Sequence, residues 1–281
     1  MKFQVRALFL VLFLPVPSLF YGNAPRPTPT QSPSFEVSRP PYLVRFQLIR
    51  QMEHYLQLKV SVIAGPATLG FTTGWVAPTP GEARDELARL TGIKEGYLFV
   101  PESCGGGNAW RCEVEHIYHS EGGLREVGTA IRNVNAQGPG ECLKDGFFRD
   151  VFNALEITPF TAHYASPAFE LYRKDDGRRL SLDLAETWKR NRWRYEDYAN
   201  RLQPTADPAK KEALRSNFLG ALALSGLCGK TAEWNGAIRQ GRRVLGKKTA
   251  GQMEAYVRLR LKQLTVKDPP PGFTGPPPSN P

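Results

Sequence analysis

Three residue types spaced along the middle of this chain could do chemistry together: a thiol, an imidazole and a carboxylate. Cys142 follows a Gly138-Pro139-Gly140 break and opens an apolar stretch from Leu143 to Leu155. The spacing of Phe147, Phe148, Val151, Phe152 and Leu155 predicts a helix there. A thiol at a helix N-terminus feels the positive end of the dipole, which lowers its pKa and favours the nucleophilic thiolate. Thiol catalysis also needs a base and a group to orient that base. His163 and Asp183 follow in that order and are the catalytic partners expected for Cys142.

Gly140-Glu141-Cys142, followed by the run FFRDVFNALEI, resembles the entry to the catalytic core of the transglutaminase-like (papain-like thiol) superfamily. The segment Ala168-Phe169-Glu170-Leu171-Tyr172, the turn after it and Leu182-Asp183 are similar to that family's His-bearing and Asp-bearing strands. The likeness spans about 45 residues, and it implies a thiol hydrolase or acyl-transferase using Cys142, His163 and Asp183. The chain departs from the pattern where the family's His begins its strand. Pro167 stands there, and His163 lies four residues earlier, more than about 10 Å away along an extended chain.

Two other groups invite a chemical reading. His116 and His119 lie among Glu113, Glu115 and Glu121, but the alternation from Trp110 to Tyr118 predicts a strand, which sends the two imidazoles to opposite faces. No His-Glu-x-x-His order exists, so no metal site is expected. Glu121, before Gly122-Gly123, is a candidate acid for a glycan hydrolase, which needs one buried carboxyl and usually a second across a cleft. The Gly105–Gly107 run lacks the Lys-Ser/Thr of a phosphate-binding loop. Nothing here asks for a cofactor.

Charge gives a different reading. The chain carries a formal net charge of +10. From Asp183 to Lys262 there are 17 Lys/Arg against 8 Asp/Glu, a surplus of nine, so nearly all of the excess lies in the C-terminal third. Arg190, Arg192, Trp193 and Arg194 interleave cations with an aromatic, and Arg242, Arg243, Lys247 and Lys248 cluster further on. Such surfaces stack on sugar rings or bases and meet anionic groups. At helical spacing Trp188, Tyr195 and Tyr198 share a face and Trp193 falls off it.

The N-terminus suggests which partner those cations meet. Lys2 and Arg6 precede an apolar run from Ala7 to Leu14 and small residues at Gly22 and Ala24, the order of a secretory signal over 1–24. Export, periplasmic or secreted, makes an anionic envelope polymer or a protein partner the expectation and argues against intracellular nucleic acid. No membrane span is expected after signal cleavage. In an oxidising compartment the four cysteines predict two disulfides, Cys104–Cys112 and Cys142–Cys228 being the favoured pairing of three possible ones.

The elements that must position these groups read as an α+β fold: a small mixed or antiparallel sheet with packed helices, then a basic all-helical region. Residues 25–41 and 267–281 are Pro-rich and are expected to stay extended. Between them lie an α+β domain over 42–184 and the basic helical region over 185–266. Helices are expected over Val44–Leu58, after Thr79, through Leu124–Val134 and over Leu143–Leu155. Strands are expected at Lys59–Ala64, Phe71–Val76 and Tyr97–Val100, with an extended piece over Ile157–Tyr164 and a hairpin around Asp175-Asp176-Gly177. Beyond Asp183 four helices follow, over 185–203, 208–227, 232–245 and 250–265.

Overall fold

The protein is seen in a computed structural model. It describes residues 33–52, 55–75, 79–104, 112–132, 138–152, 155, 158–162 and 167–267, a few of them next to the gaps and at the helix ends by backbone alone. The class is α+β: among the described residues there are antiparallel sheets and five helices, with the C-terminal region helical. The expected signal segment, the expected tail from 268 on and His163 lie outside the described residues.

The first four strands form an antiparallel meander: β1 (Ser34–Arg39), β2 (Tyr42–Met52), β3 (Tyr55–Ala64) and β4 (Ala67–Trp75). Two expectations fail here. Ser34–Arg39, taken as part of an extended arm, pairs with β2 along its whole length. Val44–Leu58 is a hairpin rather than a helix. The buried set is Tyr42, Val44 and Phe46 on β2 and Leu56, Leu58, Val60 and Val62 on β3, a period of two. Ile49 and Met52, which made the spacing look helical, are 52% and 46% exposed. The pairing skips a residue between Leu48 and Arg50, beside Ile49, which lies on the outward face by the same alternation that buries Tyr42, Val44 and Phe46.

Helix α1 (Pro80–Leu90) forms where the sequence predicts it. Pro80 sits in its first turn, and the Thr79 hydroxyl accepts from the Glu82 N–H at 3.2 Å. Its Ala83, Leu87 and Leu90 enter one core with the meander's inner face, Leu98, Val100 and Tyr118. A second leaf of sheet then follows: β5 (Gly92–Lys94), β6 (Tyr97–Cys104), β7 (Cys112–His119) and β8 (Arg125–Arg132). Among the described residues one pair, Gly74 with Ser103, joins the leaves through β4 and β6. The expected helix over Leu124–Val134 is strand β8. The register shifts between Ile117 and Tyr118, leaving Val127 as the extra residue, so that Val127 and Ala130, three apart, are both buried. That spacing imitates a helix.

The expected helix at Leu143–Leu155 is likewise a hairpin, β9 (Leu143–Lys144) and β10 (Phe147–Phe152). Its two-residue turn is Asp145-Gly146, both at positive φ (55° and 74°), which is the type I′ pattern. β10 pairs with β11 (Phe169–Asp175), and β11 with β12 (Leu180–Leu182), the hairpin expected around Asp176. This small sheet packs against β8 over Phe99, Ile117, Val127, Leu143, Phe148 and Leu180.

Four helices follow among the described residues: α2 (Leu184–Asn200), α3 (Pro208–Leu227), α4 (Thr231–Leu245) and α5 (Lys247–Lys267). Their contacts give the directions. Tyr195 donates to the Glu233 carbonyl at 2.8 Å, and Gln240 donates to the Leu202 carbonyl at 3.1 Å, so α2 and α4 run parallel. Gly226 lies under Trp234 and Gly241 under Phe218, where a Cβ would meet ring atoms at 2.5 and 2.3 Å; α3 and α4 are therefore antiparallel and very close. Arg242 meets Glu254 while Arg258 covers Trp234, so α5 is antiparallel to α4. The core of this region holds Phe218, Leu222, Trp234, Met253 and Val257, all fully buried.

Candidate functional site

Cys142 does not open a helix. It sits in the turn before β9, where Gly140 adopts φ +66° and its N–H donates to the Glu115 carboxylate at 3.0 Å. A Cβ on Gly140 would strike the Phe99 ring at 2.7 Å. Glu115 is fully buried on β7 and Cys142 is 2% exposed. Burial first, then the charge of Glu115 and a hydrogen bond to it, push the thiol far above its usual pKa. Lys94 and Arg149 pull the other way, but both are committed: Lys94 Nζ donates to the Gly140 and Leu143 carbonyls at 2.8 and 2.6 Å, and Arg149 to the Glu141 carbonyl at 2.8 Å. The arrangement holds a protonated thiol in a packed core, the opposite of a poised nucleophile.

Asp183, the expected orienting carboxylate, is the N-cap of α2 and accepts from the Glu186 N–H at 2.8 Å. It borders a cleft of about 670 Å³ together with Lys174, Asp176, Ser181, Cys228 and Lys230. That cleft brings Asp183 to Cys228, not to Cys142. Its carboxylates are held: Asp176 by Ser181 and the backbone N–H groups of Arg179 and Arg178, which lower its pKa to about 2. Asp175 is held by Arg125 and Tyr97. Burial pushes the Cys228 thiol up to about 12. Cys142 and Cys228 belong to different cores and are both free thiols, so the expected bridge between them is not formed. Cys104 and Cys112 face each other in the β6–β7 register, and their side chains lie outside the described residues.

The histidines stand apart. His116 stacks on Phe71 and meets Glu102 and Glu126, whereas His119 approaches Glu121 at 3.8 Å and the Tyr97 ring. No group of three potential ligands converges on a metal position among the described residues. Glu121 is 90% exposed in a turn, not the buried carboxyl that a glycan hydrolase's acid requires.

The expected cationic residues divide into two sets. Arg190 is bound to Glu186 at 2.6 Å and Asp145 at 3.0 Å, Arg192 to Glu196 at 3.0 Å, and Arg242 to the buried Glu254 at 3.7 Å. Trp193 is 59% exposed with the Arg194 guanidinium 4.6 Å from its ring. Arg243, Lys247 and Lys248 are exposed at the α4–α5 turn with no carboxylate partner among the described residues. The helix directions place further exposed cations of the same kind at that end: Lys211 and Arg215 in the first turns of α3, and Arg239 in the last turns of α4. Reading the sequence missed Lys211 and Arg215, because their grouping with Arg239 depends on the α3–α4 antiparallel contact. Compared with family models, curated proteins and solved structures, the chain matches none.

Proposed function

We propose that this is an exported, envelope-associated protein that holds an anionic polymer or acidic partner on the basic end of its helical region. One observation carries the reading: Lys211, Arg215, Arg239, Arg243, Lys247 and Lys248 converge on the end where α3 and α5 begin and α4 stops, exposed and without carboxylate partners among the described residues. Cations left uncompensated at one end generate a positive potential that draws in a polyanion and is screened by salt over about 8 Å at physiological ionic strength. The signal-like N-terminus supplies the compartment. Among the described residues no helix is long and apolar enough to cross a membrane. The readings built on Cys142 and Glu121 draw less support, the first because its thiol is closed and held protonated, the second because its carboxyl is fully in solvent.

The test is retention on an immobilised sulfated or phosphorylated polymer over a salt gradient. The variant Arg243→Glu, Lys247→Glu, Lys248→Glu should elute at much lower salt than the parent. A control reversing three exposed lysines of the sheet region, Lys59, Lys144 and Lys174, makes the same change in net charge. Equal loss in both variants would reduce the effect to net charge and end the proposal.

A further inference from the structure

We propose that His116 is the clasp of a pH-dependent seam between the two leaves of the large sheet. The leaf β1–β4 meets the leaf β5–β8 through one backbone pair among the described residues, Gly74 with Ser103. Side chains also hold this boundary. His116, on β7, stacks against Phe71 of β4 with ring centroids 3.8 Å apart and planes 14° from parallel. Its Nε2 lies 2.6 Å from Glu102 on β6 and its Nδ1 2.8 Å from Glu126 on β8. One imidazole thus touches the far leaf through its face and both neighbouring strands of its own leaf through its edge, with only 11% of the side chain exposed.

Such geometry suits the imidazolium and not the neutral ring. With both nitrogens protonated, each donates to a carboxylate and the cation lies over the Phe71 face. After proton loss one nitrogen becomes an acceptor and faces a carboxylate oxygen at hydrogen-bond distance, so one arm must release. The titratable groups facing His116 among the described residues are Glu102 from β6, Glu126 from β8 and Tyr118 on its own strand, whose ring centroid lies 6.4 Å away; β4 contributes the Phe71 ring. Burial lowers the pKa of His116, but the hydrogen bonds and charges of Glu126 and Glu102 outweigh it, and the net shift is upward from 6.5. A histidine whose folded pKa is raised contributes its stabilisation fully below the unfolded pKa and loses it as pH rises through the folded one. The seam therefore tightens in mild acid and loosens on the alkaline side.

The experiment is amide hydrogen exchange on the full chain between pH 6 and pH 9, corrected for the intrinsic chemical rate. Protection of Phe71–Trp75 and Leu98–Ser103 should fall tenfold or more across the His116 titration, relative to Phe218–Leu227 in α3 as an internal reference. In His116→Gln the step should vanish. In Glu126→Gln, which removes a half-exposed carboxylate, it should move to lower pH. Seam protection that follows the α3 reference at every pH in the parent would overturn the proposal. So would a step that survives unchanged in His116→Gln, or one that fails to move in Glu126→Gln where the histidine variant does not fold.

Discussion

The sheet region and the helical region use charge in opposite ways. In the sheets, several charged side chains join elements from partly or fully buried positions: Glu115 fixes the Gly140 turn, Lys94 ties β5 to the next turn, and Arg125 with Tyr97 secures Asp175 across the two sheets. Among the helices one buried carboxylate, Glu254, serves both Arg242 and Arg258, while cations elsewhere are left in solvent at one end. A surplus of nine positive charges is therefore not nine equivalent binding groups. Those that hold the fold and those left in solvent differ only in where their nearest carboxylate is.

The largest effect that separates the two roles is expected at Glu254. It is 7% exposed, with Arg258 at 2.9 Å and Arg242 at 3.7 Å. Glu254→Ala leaves a largely buried guanidinium over Trp234 without its anion, and removing one member of a buried pair costs about 3–5 kcal/mol. Urea denaturation should show that loss as a lower midpoint with an unchanged slope. A change below about 1 kcal/mol would mean that the pair is a surface contact in effect, and the division of the cations drawn above would fail.

Next comes Asp175→Asn. The Asp175 side chain is 9% exposed and bound by Arg125 and Tyr97, so its loss should cost about 2 kcal/mol, in the range for hydrogen bonds to charged groups. Burial raises its pKa, but the Arg125 hydrogen bond, the Gly177 N–H and the Arg125 charge bring it below the usual value. Its contribution is then present above about pH 4 and is lost as pH falls through the lowered value. Parent and variant stabilities should converge in acid. Parallel curves down to pH 2 would show that the carboxylate is not stabilised by folding.

How much of this could be read from the residues differs between the two regions for the same physical reason. Helical signals are local. Asp183 with Glu186 three positions on marks the start of α2, and α3 runs over the expected 208–227. Sheet signals are local only when no bulge intervenes. The bulge at Val127 converts a period of two into a spacing of three, and on β2 the outward Ile49 and Met52 add apolar residues at a spacing that reads as a helix. Asp145-Gly146 did carry the signal of a hairpin, and the apolar run around it hid it. The site was less legible still. His116 gains its meaning from strands β4, β6 and β8 at once, and Cys142 from Glu115 on a strand 27 residues earlier. No spacing rule reaches across that distance.

A smaller effect is expected at Cys142. Cys142→Ala removes a buried sulfur and its contact with Glu115 and should cost about 1 kcal/mol, as a single small core truncation does. The sharper readout is reactivity. Cys142 and Cys228 should both be recovered as thiols in protein denatured without reductant, and both should resist alkylation in the native state at neutral pH. Rapid native alkylation of Cys142 would reopen the thiol reading, because burial and Glu115 would then have failed to hold the proton.

The smallest effect is the most discriminating one. Lys247→Gln with Lys248→Gln changes two exposed side chains in the first turn of α5, where no acidic residue offsets them. Cations at a helix N-terminus oppose the dipole, so neutralising them should leave stability unchanged or raise it by a few tenths of a kcal/mol. Retention on a polyanion should nevertheless fall and lose part of its salt dependence. If the double variant is instead less stable by more than about 1 kcal/mol, these lysines belong with Arg242 and Arg258 among the cations that hold the fold, and the proposed binding set shrinks to the α3 and α4 residues.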